Sequence, residues 1–153
     1  MRRGITAVLL LVLSAGCATS TRTSNAARIQ SLYDSFARGD AAAVLAAFDP
    51  DIVWREAEGY RYADRNPYRG PQAIAEGVFG RLMSEWSDFR VTPQRIIDGG
   101  DVVVALGRYS GASRATGKPI DAQFAHVWTL RDGRIVGFEQ YTDTAQFTRA
   151  LMP

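Results

Sequence analysis

FAHVWTLRDGRIVGFEQYTD, residues 124–143, reads as two strands joined by a tight turn. Asp132-Gly133 at its centre is a strong hairpin signal, because both residues tolerate the left-handed backbone that such a turn needs. Side chains alternate across a strand, so Ile120, Ala122, Phe124, His126, Trp128 and Leu130 share one face. Asp121, Gln123, Ala125, Val127 and Thr129 share the other. The first face is apolar apart from His126, the only histidine in the chain, and therefore turns inward. An imidazole there needs a hydrogen-bond partner, since an unpaired buried polar group costs about 1–3 kcal/mol. Centring the turn on Asp132-Gly133 sets His126 opposite Glu139, and a bulge near Gly137 would change that register. Glu139, Tyr141 and Asp143 share one face if no bulge intervenes, so Glu139 and Asp143 are both candidate partners for His126.

Upstream of this hairpin the pattern repeats. FRVTPQRIID and DVVVALGRYSG flank a DGGD turn, and KPIDAQFAHVWTL follows. Before Phe89 the apolar spacing is helical. Ile29, Leu32, Tyr33 and Phe36 form one stripe, with Ser24 or Asn25 as cap and Gly39 at the end. Asp40 caps a second helix carrying Val44, Leu45 and Phe48, and Pro50 lies beyond it. DIVWRE is a short strand. Gly70-Pro71 starts a third helix with Ile74, Val78 and Leu82 inward and Phe79 at the flank, proline being suited to the first helical position. Three helices followed by long antiparallel strands predict an α+β fold, with the helices on one face of a curved sheet.

Three stretches together, LYDSFARGD…FDPDIVW, YRGPQAIAEGVFGRL and TGKPI…FAHVWTLRDGRIVGFEQYTDTA, resemble the SnoaL-like, ketosteroid isomerase-related proteins of the NTF2-like superfamily. The resemblance runs from Ala27 to Leu151 and assigns residues 27–153 to one such domain. It implies a cone: a strongly curved antiparallel sheet wrapped around N-terminal helices, with a pocket at the wide end. It also implies a homodimer through the outer face of the sheet.

In that setting His126 and Asp143 are the expected catalytic pair. Neutral imidazole accepts a proton near pH 7, and a carboxylate fixes its tautomer. The alternative is a structural one: His126 is a buried histidine satisfied by a neighbour, and Asp143 caps a terminal TAQFTRALM helix, a role that does not exclude catalysis. The expected ligand-binding residues are Trp54, Glu56, Tyr33, Phe79, Phe124, Trp128 and Tyr141. One histidine and no spare cysteine argue against a metal site, and no phosphate-binding or dinucleotide motif occurs. The expected chemistry is cofactor-independent: isomerisation, cyclisation or dehydration of a small, largely apolar molecule. A non-catalytic ligand-binding domain and a protein-interaction module are the alternatives.

The other end of the chain supplies a location. MRRGITAVLLLVLSAGC has a basic start, a short apolar run and small residues before Cys17, the pattern of an export signal over 1–16. LSAGC resembles a bacterial lipobox, in which Cys17 becomes the lipidated first residue. Residues 17–26 then form a short polar tether. The expectation is a lipid-anchored protein of the bacterial cell envelope, periplasmic or outer-membrane associated. The chain has 18 basic and 16 acidic residues, and loss of Arg2 and Arg3 leaves 16 against 16. A neutral domain has no electrostatic footprint for nucleic acid.

Overall fold

The computed structural model of the chain describes residues 23–153. The expected signal peptide and the lipidated Cys17 lie outside the described residues. Helix α1 (Asn25–Ala37) starts at Ser24, whose hydroxyl accepts from the Ala27 N–H at 3.1 Å. It buries Ile29, Leu32 and Tyr33. Asp40 caps α2 (Ala41–Ala46) in the same way, accepting from Ala43 N–H at 3.0 Å. This helix is shorter than its apolar spacing predicts. The chain becomes extended at Phe48, so that ring reaches the core from β1 (Phe48–Arg55).

A 3₁₀ turn (Arg61–Arg65) and the two-residue β2 (Tyr68–Arg69) lead to α3 (Pro71–Ile74), a π-helical turn (Ala75–Phe79) and α4 (Gly80–Glu85). Ile74, Val78 and Leu82 face inward as their spacing requires, and Phe79 is half-buried. Gly77 lies where a Cβ would collide with the Tyr68 ring, so its lack of a side chain lets this helical run dock on β2.

Four long strands follow: β3 (Trp86–Gly99), β4 (Val102–Ser113), β5 (Pro119–Arg131) and β6 (Arg134–Thr142). The order in the sheet is β2-β1-β6-β5-β4-β3. All neighbours are antiparallel except β1 and β6, which run parallel. The fold is thus a mixed α+β architecture with a strongly curved six-stranded sheet and helices on its concave face. The β5–β6 turn holds Asp132 at φ 51° and Gly133 at φ 78°, the left-handed pair that its sequence predicts. Helix α5 (Thr144–Leu151) closes the described chain. Among the described residues no helix is long and apolar enough to cross a membrane.

Candidate functional site

One residue of β6 decides which side chains reach the concave face. Near the turn, Leu130 pairs with Ile135; one step on, Thr129 pairs with Gly137, so Val136 is an extra residue. Beyond this bulge His126 stands opposite Gln140, not Glu139. The bulge reverses the facing of everything after it. Phe138 and Gln140 turn inward, and Glu139 and Tyr141 turn outward.

The expected His126–Asp143 pair does not form. Asp143 caps α5, taking hydrogen bonds from the Gln146 backbone N–H at 3.4 Å and from its side-chain amide at 3.0 Å. Those bonds hold its carboxyl below the usual aspartate range. His126 lies between two phenols instead. Its Nδ1 is 2.8 Å from the Tyr33 hydroxyl, and its Nε2 makes a short hydrogen bond with the Tyr109 hydroxyl. Trp128 Nε1–H donates to Tyr33 at 2.9 Å, and the Gln140 amide donates to Tyr109 at 2.8 Å. Phe124 stacks behind the imidazole with ring centroids 4.0 Å apart. With this apolar burial and no carboxylate bonded to it, the imidazole pKa falls to about 3. His126 is therefore a neutral bridge at any ordinary pH.

Tyr33, Trp54, Glu56, Phe79, His126 and Trp128 surround an apolar cavity of about 60 Å³. Tyr60, Tyr109, Phe138 and Gln140 complete its wall. Half-buried Phe36, Phe79, Phe89 and Val91 mark where it approaches solvent. Two expected lining residues are elsewhere. Phe124 sits behind His126, and Tyr141 is 55% exposed on the outer face with its hydroxyl on Glu139. Tyr109 and Gln140 enter the site unforeseen. Strand alternation with Val103 and Ala105 places Tyr109 inward, whereas Gln140 depends on the bulge.

Glu56 is the only carboxylate among these lining residues and is 4% exposed. Its Oε1 accepts from Trp54 Nε1–H at 2.7 Å, while its Oε2 has no partner. Asn66 fixes the backbone beside it, donating to the Glu56 carbonyl at 2.7 Å and accepting from the Glu56 N–H at 2.9 Å. Burial raises the Glu56 pKa to about 7, and the tryptophan bond offsets only part of that rise. A carboxyl that exchanges its proton near neutral pH inside an apolar chamber can act as acid or base. Burial also raises the Tyr60 and Tyr109 phenols, and the Glu56 charge adds to both shifts. Among the described residues no cluster of His, Cys, Asp and Glu is arranged to hold a metal ion.

An α+β fold with an apolar cavity beneath a curved sheet defines the class, and comparison narrows it. A family model described as a SnoaL-like domain matches residues 29–138, and the chain belongs to that family. An NTF2-like protein from Burkholderia thailandensis E264 is 37% identical with a TM-score of 0.82, over 86% of this chain and 100% of that one. A second NTF2-like protein, from Burkholderia pseudomallei K96243, is 28% identical with a TM-score of 0.77, over 86% and 100%. TerC, co-crystallised with polyporic acid, is 27% identical with a TM-score of 0.74, over 84% and 98%. No curated protein matches the chain.

Proposed function

We propose that this SnoaL-like domain binds a small, largely apolar molecule in the cavity and moves a proton on it through Glu56, without a cofactor. The observation that carries this is the buried carboxyl with one oxygen unpartnered and a pKa of about 7. The reaction class is isomerisation, cyclisation or dehydration, each of which needs a proton removed from one position and returned to another. His126, held neutral, positions Tyr33 and Tyr109 and does not carry the proton. The solved relative co-crystallised with a small molecule supports a binding role for this family's pocket.

A ketone with exchangeable α-protons tests the proposal. In D₂O the wild-type domain should accelerate deuterium entry into 2-indanone, followed by proton NMR. Glu56→Gln should remove the acceleration, at least about a hundredfold for loss of a general base. Equal rates for the two proteins would refute the role of Glu56. The LSAGC sequence supports a place of action at the bacterial envelope, with a lipid on Cys17 holding the domain there.

A further inference from the structure

The hydrogen bonds around His126 can be counted proton by proton. A neutral imidazole has one N–H and one lone pair, and each phenol has one O–H. Both phenol oxygens already accept an N–H, Tyr33 from Trp128 and Tyr109 from Gln140. The Gln140 amide cannot turn round, because its Oε1 accepts from the Ala57 N–H at 3.3 Å. One phenol donates to the imidazole lone pair, and the imidazole N–H is spent on the other phenol. The second phenol is left with an uncommitted O–H.

The surroundings say which phenol that is. Among the described residues the two phenols have matching partners, Tyr33 the Trp128 N–H and His126 Nδ1, Tyr109 the Gln140 N–H and His126 Nε2. The charge of Glu56 bears on Tyr109 and not on Tyr33, so Tyr109 is the phenol on the carboxylate's side and Tyr33 is the one that donates to Nδ1. Nε2 then carries the imidazole proton and donates it to Tyr109. Tyr109 lies on the Glu56 side of the chamber. One amide, that of Gln140, spans from the Ala57 N–H to the Tyr109 hydroxyl, and Glu56, whose Oε2 is unpaired, lines the same cavity as Tyr109.

We propose that Tyr109 O–H and Glu56 Oε2 form a donor–acceptor subsite for a single ligand oxygen that carries its own proton. The ligand class is an alcohol, phenol or enol on an otherwise apolar body. Such an oxygen accepts from Tyr109 and donates to the carboxylate. A plain hydrocarbon leaves both groups unpaired. His126 is a positioning residue here, since its tautomer frees the Tyr109 proton. This inference rests on the cavity being a ligand site.

Phenol and toluene differ by this one group and serve as probes. The wild-type domain at pH 8 should bind phenol at least about tenfold more tightly than toluene, a preference worth about 1.4 kcal/mol. Tyr109→Phe should lose the preference while keeping its toluene affinity. Because the chain has one histidine, ¹⁵N-histidine labelling of the unaltered protein gives a single imidazole, which should be neutral with its proton on Nε2. Toluene binding without a phenol preference would overturn the subsite and leave the cavity reading standing. Failure of both probes to bind would overturn both. A proton on Nδ1, a doubly protonated ring, or equal loss of both affinities in Tyr109→Phe would also reject the assignment.

Discussion

Glu56 and His126 are both buried with no bonded ionic partner, yet burial pushes their stability effects in opposite directions along the pH scale. The Glu56 pKa is raised from 4.5 to about 7, so its contribution is whole below pH 4.5 and is lost as pH rises to 7. That rise corresponds to about 3 kcal/mol. The His126 pKa is lowered from 6.5 to about 3, so its contribution is whole above pH 6.5 and is lost as pH falls toward 3. Between pH 4.5 and 6.5 the two slopes cancel. Urea unfolding of the wild type should therefore show a plateau across that window. Glu56→Gln, which imitates the neutral acid, should unmask the histidine slope and lose stability steadily as pH drops from 6.5. A wild type that already slopes as Glu56→Gln does would show that Glu56 does not titrate near neutrality. The inward direction of His126 was legible from alternation alone. The partner of His126 was not, because one extra residue in β6 exchanges Glu139 for Gln140.

At the scale of elements, caps and turns were the most readable features. Ser24, Asp40, Gly70-Pro71 and Asp132-Gly133 stand where their chemistry requires. The end of α2 was not readable, since the pairing of Phe48 with Ile135 in the sheet overrides its helical spacing. The π-helical turn was also hidden, as nothing in AEGVF distinguishes it from ordinary helix. This turn carries Phe79 to the cavity edge, where it meets Phe36 edge-on with centroids 5.8 Å apart. Its docking on β2 depends on bare backbone at Gly77. Gly77→Ala must displace the Tyr68 ring and with it the 2.5 Å bond from the Tyr68 hydroxyl to the Tyr62 carbonyl. The expected cost is about 1–3 kcal/mol in denaturant unfolding, the usual range for overpacking. An unchanged midpoint would mean that this contact is loose.

For the whole molecule, the outer face of the sheet is the surface to account for. Val102 and Tyr141 are exposed there, and Val104, Leu106, Ala125 and Val127 are half-buried. Self-association would cover this apolar band, and we propose a homodimer on that face. The mature domain should sediment as a dimer, and Leu106→Glu should sediment as a folded monomer. A monomeric wild type at micromolar concentration would refute it. The proposed anchor has its own test: the native protein should partition with membranes and Cys17→Ser should not.

β6 lies between β1 and β5, yet it comes last in sequence among the described strands. It supplies Phe138 and Gln140 to the chamber, and β1 has no neighbour on that side without it. Until β6 is in place, two strand edges stay open and the hollow lacks a wall. Fragments that stop before Arg134 should be sticky and empty.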